Sequence, residues 1–326
     1  MKAFVSVLDQ VPDRHVNGVS TPFLSLKGQP LLLYVLVALD RVRPVEEIIV
    51  VGPQKRIMQV LEGALHSGVL FSKSIRVHGQ NGTRIENMFS AYAESFSSGP
   101  ASEDPLNLVS EEAPALFLPA DIPLVTTAEI ESFIAASDMT RYDYTMGISS
   151  EAALRPFYPN AHQPGIKKPY IALQDMTFRP NNLHLLRPFR VAERNPLKGL
   201  NVKPLGHSED GGKRLEKGNW VKDLPFYFQE LLIGGLDPKD IAQAANLIGK
   251  DRPLGALEAY FSRKLNIAFK MIEKWRGGGA LNIDDEAAYR SVSLRLDEWR
   301  AYFLSLNRNE KGEDLCPVSG DPCQSA

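Results

Sequence analysis

The sequence predicts an α/β protein in which helices cover both faces of a mostly parallel sheet, with a helical elaboration toward the C-terminus. Through the first half of the chain, short β-branched runs alternate with segments of helical periodicity, which is the order of strands and helices in such sheets. The strand-like runs are apolar at nearly every position, as is typical of strands buried on both faces. Beyond residue 220, helical patterns dominate.

Strands and helices are predicted to alternate strictly up to residue 148. A helix from Thr83 has Glu86 three residues after a possible cap, which is the spacing of a capping box. Thr127 and Glu129 suit the first turn of a later helix. The predicted strands are Ala3–Leu8, Glu47–Val51, Ser74–His78, Ala115–Leu118 and Tyr144–Ile148. The predicted helices are Leu31–Val42, Gln54–Leu65, Thr83–Phe96 and Thr127–Ala136.

The chain changes character after residue 155, where the segment Arg155–Pro180 is rich in proline, basic and aromatic residues and is predicted to form loops with short strands. An apolar run at Asn182–Leu186 contains His184, which we interpret as a core or site-lining residue rather than a catalytic base. A long helix is predicted at Leu254–Trp275, because apolar residues recur there at spacings of three and four. Gly277–Gly279 ends it, and a closing amphipathic helix is predicted at Glu286–Leu304.

The composition is that of an ordinary globular protein, with 326 residues, 44% hydrophobic and 23% charged, and a formal net charge of −2. It excludes disordered, collagen-like and coiled-coil classes. The balanced charge offers no argument for a nucleic-acid surface, so we expect no nucleic-acid partner. Cys316 and Cys323 are the only cysteines and lie near the C-terminus, which excludes a disulfide-stapled or thiolate zinc core.

The chain has no predicted membrane segment. Its longest apolar run, Pro30–Leu39, is far shorter than the ~20 residues that cross a bilayer. The N-terminal stretch also lacks the pattern of a signal peptide, since Asp9, Asp13 and Arg14 follow a short apolar run at once. We therefore expect a cytoplasmic protein.

A candidate metal ligand, Asp121, directly follows a predicted buried strand and is flanked by Pro119 and Pro123. In sheets of this kind the ligand site lies in the crevice outside the carboxyl ends of the strands. A carboxylate there can bind Mg²⁺ through one oxygen while phosphates and water complete the octahedron. The same position also suits an aspartate that caps the helix at Thr127 or closes the turn, so the pattern leaves both roles open.

A second acidic pair, Asp284 and Asp285, follows a short apolar segment, Leu281–Ile283, that could form a strand, and precedes a helix. N-capping of that helix is one interpretation. If the segment lies beside the strand that ends at Asp121, carboxylates from distant parts of the sequence would meet on one cation. Carboxylates with a divalent ion are a usual way to hold a nucleoside triphosphate for attack at phosphorus.

In these segments the chain resembles the MobA-like nucleoside triphosphate transferases, the molybdenum-cofactor guanylyltransferase-like class, as a divergent member. The likeness lies in LPADIPLV at Leu118–Val125, in GGGALNIDDEAAYRSVS at Gly277–Ser293 and in the order of the elements, and it covers residues 1–190 and 276–300. It implies a Rossmann-like nucleotidyltransferase (GT-A-like) fold. It also implies a Mg²⁺-dependent reaction that joins a nucleoside triphosphate to a phosphate or sugar-phosphate acceptor and releases pyrophosphate.

The resemblance implies an arrangement of domains and roles for single residues. Residues 1–190 would form the nucleotide-binding and acceptor domain, completed by 276–308, with a helical insertion at 191–275 and a flexible tail at 309–326. Asp284 is preferred to Asp285 as a metal ligand, because Asp285 takes the place of a threonine. The implied residues are Asp121 and Asp284 at the metal, Asp121 and Lys167 in catalysis, Leu8, Arg14, Gly82 and Asn87 at the nucleotide, and Lys168 and Asn182 at the acceptor.

The first loop, Leu8–Gly18, departs from the family pattern, which has a glycine-rich and basic phosphate cradle there. Asp9 and Asp13 in this loop would repel phosphate, and Pro22 stands where the family has a lysine. Either other cations bind the phosphates or the chain has lost triphosphate chemistry. The cations that could take over are Arg14, Lys167 and Lys168. The alternatives are a catalytically degenerate protein that binds a nucleotide or nucleotide-sugar, and a metal-dependent glycosyltransferase.

Overall fold

The structure is a computed structural model that describes residues 1–7, 15–80, 84–95, 113–188, 190, 238–249 and 251–306. The strands in this part of the chain are β1 (Lys2–Ser6), β2 (His15–Val16), β3 (Val19–Ser20), β4 (Ser25–Leu26), β5 (Gln29–Pro30), β6 (Glu47–Val51), β7 (Ser74–His78), β8 (Ala115–Pro119), β9 (Tyr144–Ser150), β10 (Ile171–Ala172), β11 (Thr177–Leu186) and β12 (Phe269–Glu273). Eight of them form one sheet in the order β7-β6-β1-β8-β11-β9-β12, with β10 paired to β11. Two small hairpins, β2–β3 and β4–β5, lie outside it.

The carboxyl ends of the parallel strands meet at one edge of this sheet. β1 pairs in parallel with β6 and β8, so its last residue, Ser6, lies opposite both Val51 and Pro119. β11 is antiparallel to both of its neighbours, β8 and β9, and its N-terminal part therefore reaches the same edge, where Phe178 lies opposite Ser150. This topology confirms the mostly parallel sheet that the sequence predicts.

Helices cover both faces of the sheet, as predicted. The helices are α1 (Leu31–Asp40), α2 (Gln54–His66), α3 (Arg84–Glu94), α4 (Thr127–Ala136), the short α5 (Glu151–Leu154), α6 (Pro238–Ile248), α7 (Leu254–Leu265) and α8 (Glu286–Ser305). Successive residues of β1 point to opposite faces. Ala3 and Val5 belong to the core formed with α1, α2 and α4, whereas Phe4 belongs to the core formed with α3, α6 and α7.

A third hydrophobic cluster holds α8 against the chain that follows β9. Trp299 and Phe303 of α8 pack on Phe157, with ring centroids 5.4 Å and 5.2 Å apart. Leu281 and Ile283, which precede α8, are buried in the same cluster. Because these two side chains are anchored, the acidic residues directly after them have a defined position.

The helix predicted at Leu254–Trp275 is wrong beyond Leu265. Asn266 adopts a left-handed conformation with φ 53°, and its backbone N–H bonds to carbonyls of the last turn, which ends α7. The next apolar residues form β12, which pairs in parallel with β9. A strand is favoured there because Phe269 and Met271 alternate into the core. The boundary predicted at residue 275 therefore does not separate helices from the sheet.

The segment Leu281–Ile283 is not a strand. It follows a single 3₁₀ turn at Gly278–Ala280 and runs without strand pairing to α8. Part of the predicted helical insertion, residues 191–237, and the predicted tail at 309–326 lie outside the described residues. Among the helices that the structure describes, none is long and apolar enough to cross a membrane.

Candidate functional site

The two acidic segments singled out in the sequence meet at the carboxyl edge of the sheet. Asp121 follows β8 and is only 2% exposed. Its backbone carbonyl accepts a hydrogen bond from the N–H of Ile283 at 2.9 Å. Asp284 is the next residue, so one backbone bond joins the turn that carries Asp121 to the segment that carries Asp284. Their proposed role as metal ligands stays a prediction.

The glycine turn before this segment is packed too closely to admit side chains. Gly277 has φ 67°, in the left-handed region that favours glycine. A Cβ on Gly278 would lie 2.2 Å from the carbonyl oxygen of Leu124, and one on Gly279 would lie 2.5 Å from that of Asn181. The turn can therefore approach the β8 loop and β11 only because glycine occupies these positions.

A buried carboxylate, Glu129 of α4, holds this turn in place. Its oxygens accept the N–H of Gly279 at 3.1 and 3.3 Å, and Oε1 also accepts the side-chain amide of Asn181 at 2.9 Å. Burial raises the pKa of Glu129 to about 7, while the hydrogen bonds from Gly279 and Asn181 act in the opposite direction. The sequence indicates only a place for Glu129 in the first turn of a helix, because its partners Gly279 and Asn181 lie far away along the chain.

Asp284 and Asp285 both accept hydrogen bonds from the ammonium group of Lys168. Lys168 Nζ contacts Asp284 Oδ1 directly and Asp285 Oδ2 at 2.8 Å. Asp285 Oδ1 accepts the N–H of Ala288 at 2.7 Å, so Asp285 is the N-cap of α8. Partial burial tends to raise the pKa of Asp285, but the hydrogen bonds from Lys168 and Ala288 and the positive charge of Lys168 together lower the pKa. Lys168, predicted at the acceptor, thus touches the predicted metal ligand.

Arg179 of β11 is a cation of this edge that sequence analysis missed. Its Nη2 donates to Asn282 Oδ1 at 2.8 Å, and Asn282 Nδ2 donates to Asp284 Oδ2 at 3.1 Å. Burial lowers the pKa of Arg179, while the negative charge of Asp284 opposes this effect. The sequence predicts loops with short strands up to Pro180 and a separate apolar strand at Asn182–Leu186, which leaves Arg179 outside that strand. In the structure the strand begins five residues earlier, at Thr177, and carries Arg179 to the edge.

Lys167, the predicted catalytic lysine, lies beside two tyrosines at the same end of the molecule. Its Nζ is 5.4 Å from the ring centroid of Tyr158, whose ring lies 6.2 Å from that of Tyr170. Tyr158 donates its hydroxyl proton to Glu151 at 3.2 Å. Burial is the main reason that the pKa of Tyr158 is raised. The group combines an exposed cation with aromatic faces, which suits an anionic or sugar ligand.

The remaining predicted site residues differ in their surroundings. Asn182 has φ 57°, sits at the register shift of β11 and donates to the carbonyl of Gly279 at 2.7 Å, so it supports the glycine turn. Asn87 of α3 is buried. His184 is buried and lies 2.8 Å from the hydroxyl of Tyr144, as expected for a core residue. The predicted nucleotide contacts Leu8, Arg14 and Gly82 lie outside the described residues.

The donor chemistry of this edge fits Mg²⁺. Among the residues that the structure describes, no three His, Cys, Asp or Glu side chains lie close enough to hold a metal by themselves. Mg²⁺ does not require them, because it commonly takes one or two carboxylates and completes its octahedron with phosphate and water. Asp121 and Asp284 would supply two hard oxygen ligands, from segments that a backbone hydrogen bond joins. The ammonium of Lys168 competes for Asp284.

The fold has counterparts among solved structures. A hypothetical transferase from Thermus thermophilus matches with a TM-score of 0.52 and 17% identity, over 86% of this chain and 96% of that one. A CMP:2-keto-3-deoxy-manno-octonic acid synthetase in complex with CTP matches with a TM-score of 0.46 and 12% identity, over 91% and 97% of the two chains. No family model matches the sequence, and no curated protein is a detectable sequence relative. The Thermus likeness confirms the Rossmann-like fold that the sequence predicts.

Proposed function

We propose that the chain is a Mg²⁺-dependent nucleotidyltransferase, a divergent relative of the MobA-like class. It would join a nucleoside triphosphate to a phosphate or sugar-phosphate acceptor and release pyrophosphate. The observation that carries the proposal is the hydrogen bond from Ile283 to Asp121, which holds two carboxylate-bearing segments together where this fold binds ligands. The shared fold with a transferase supports the proposal without naming a substrate.

In the proposed reaction, Asp121 and Asp284 hold the metal ion, which when bound neutralises charge on the phosphates. An acceptor phosphate is already ionised at neutral pH, so no general base is needed. Its oxygen attacks the α-phosphorus, the bond to the bridging oxygen breaks, and pyrophosphate leaves with that electron pair. Lys167 and Arg179 stabilise the negative charge that builds up between the reacting groups.

The proposed binding roles follow the same edge of the sheet. Lys168 and Asn182 would contact the acceptor, and Asn87 would contact the nucleotide together with the first loop. We also propose that the protein works in the cytoplasm, where triphosphates are abundant. The nucleotide contacts in the first part of the chain are Leu8, Arg14 and Gly82.

Binding of a nucleotide or nucleotide-sugar without turnover is a second candidate. It is favoured by Lys168, whose ammonium pairs with both Asp284 and Asp285. In such a protein the lysine would stand permanently at the cation position. Pro22, at the place of the family's lysine, favours the same candidate.

The test of catalysis is pyrophosphate release from a panel of nucleoside triphosphates and sugar phosphates in the presence of Mg²⁺. We expect release with at least one pair, and a loss of about 100-fold or more in Asp121→Asn and Asp284→Asn. Asp297→Asn is the matched control. Asp297 lies on α8, is exposed and pairs with the exposed side chain of Lys27. Absence of release with every pair, or full activity in Asp121→Asn, would overturn the proposal.

Calorimetry separates the two candidates. Titration with the same triphosphates and with nucleotide-sugars measures binding independently of turnover. Tight binding without Mg²⁺ and without pyrophosphate release would favour the second candidate. Absence of binding for every compound would reject both.

A further inference from the structure

Lys168 lies on a loop that contacts α8 at two points. The hydroxyl oxygen of Ser291 on α8 lies 3.1 Å from the carbonyl oxygen of Gly165 and 2.7 Å from that of Ala287 in its own helix. Arg295 donates to the carbonyl of Pro164 at 3.2 Å. Ile166, two residues before Lys168, is buried in the cluster around α8. The loop therefore holds the base of the Lys168 side chain close to the N-terminal end of the same helix.

The Lys168 side chain is more sheltered than the two aspartate side chains that it contacts. The Lys168 side chain is 14% exposed, compared with 34% for Asp284 and 54% for Asp285. An ion pair that is removed from water is screened less by salt than a pair on the surface. Lys168 is therefore a built-in counter-ion of this acidic pair rather than a surface lysine that happens to be near.

All four carboxylate oxygens of the pair already accept a hydrogen bond. Lys168 reaches one oxygen of each residue, Asn282 donates to the second oxygen of Asp284, and Ala288 donates to the second oxygen of Asp285. A divalent cation on Asp284 would stand within a few ångströms of the ammonium, where like charges repel strongly. The lysine and a metal ion cannot both sit favourably on this carboxylate.

We propose that Lys168 occupies the cation position at Asp284 in the ligand-free protein, and that a divalent ion binds Asp284 only when Lys168 withdraws. This inference rests on the proposed function in one respect, the assignment of Asp284 as a metal ligand. It assigns Lys168 a task that the acceptor role does not include, namely control of metal binding. The neighbouring Lys167 lacks that task, because its ammonium lies over Tyr158.

The test uses Mn²⁺ alone as the probe, added to the full-length chain, with free Mn²⁺ measured by electron paramagnetic resonance. We expect weak binding in the wild type and in Lys168→Arg, which keeps the charge. In Lys168→Met and Lys168→Gln we expect an affinity about tenfold higher or more, since the repelling charge is gone. Adding Asp284→Asn to Lys168→Met should remove the gain, which locates the site.

Lys27→Met is the matched control, because it removes one positive charge from an exposed pair with Asp297 and should leave the affinity unchanged. Equal affinity in the wild type, Lys168→Met and Lys168→Gln would overturn the inference. So would a gain of the same size in Lys27→Met, since it would reflect net charge alone. No nucleotide is present, so a failure here leaves the pyrophosphate assay untouched. Conversely, if the protein releases no pyrophosphate, a measured gain in Mn²⁺ affinity in Lys168→Met would still support the inference.

Discussion

Glu129→Gln should make the stability of the protein much less dependent on pH between pH 4.5 and 7.5. Glu129 is fully buried, and both of its oxygens face the N–H of Gly279. Glutamine is a neutral mimic of the protonated acid, and its amide oxygen can still accept the bonds from Gly279 and Asn181. The substitution therefore removes a titration while leaving the shape of the network almost unchanged.

The sign and size of the effect follow from the raised pKa of Glu129. Its folded-state pKa of about 7 lies above the ordinary value of 4.5, because burial disfavours the charged form. Below pH 4.5, Glu129 is protonated in both the folded and the unfolded protein, and its contribution to the free energy of unfolding is fully present. That contribution is lost as the pH rises from 4.5 through 7. At 1.36 kcal/mol per pH unit, the loss amounts to about 3 kcal/mol.

The assay is urea denaturation of the wild type and Glu129→Gln at a series of pH values. The difference between their free energies of unfolding should change by about 3 kcal/mol from pH 4.5 to 7.5, with the wild type losing stability relative to the variant. Glu62→Gln is the control, because Glu62 is exposed on α2 and its substitution makes the same chemical change away from this buried network. Parallel curves for wild type and Glu129→Gln would show that Glu129 stays ionised when folded, and would refute the reasoning.

Three further changes test how the site and its supports are built, each by chemical denaturation. Asp285→Ala should cost about 1 kcal/mol because it removes the N-cap of α8, whereas Asp285→Ser should restore most of the loss. Gly278→Ala should destabilise the protein by about 1–3 kcal/mol, since the new Cβ would lie 2.2 Å from the carbonyl oxygen of Leu124. Its control is Gly63→Ala on α2, where the new Cβ would lie in open space and should stabilise the protein by about 0.5–1 kcal/mol. Asn266→Ala should cost about 1 kcal/mol, because alanine adopts the left-handed conformation less readily than asparagine, and Asn266→Gly should cost less.

The alternation of strands and helices could be predicted because it depends on local patterns. Largely apolar runs such as Glu47–Val51 and Ala115–Leu118 are typical of strands that are covered on both faces. The error at Leu254–Trp275 arose where two periodicities overlap: Leu265 and Phe269 fit helical spacing, but Phe269 and Met271 also fit a strand. The left-handed turn at Asn266 decides between them, and asparagine is only a weak signal of such a turn.

That the segments of Asp121 and Asp284 lie side by side could be predicted from the sequence only as a condition. The structure joins the two segments through a backbone bond from Ile283 to Asp121 rather than through a strand pair. Arg179 and Glu129 were not predicted as parts of the site, because their roles depend on partners that lie about 100 or more residues away. Local pattern contains no information about such partners.

The position of Lys168 could not be predicted from its residue type alone. In the sequence it is one of two adjacent lysines, and its charge could serve a phosphate, a solvated surface or nothing at all. The contact of Lys168 with the acidic pair depends on Ser291 and Arg295, which hold its loop against α8. It also depends on α8 itself, at whose N-terminal end the acidic pair lies. If Asp284 binds a metal ion, as proposed, a cation held against the two aspartates raises the cost of binding that ion. The proposed competition between Lys168 and the metal would then set how strongly the metal binds.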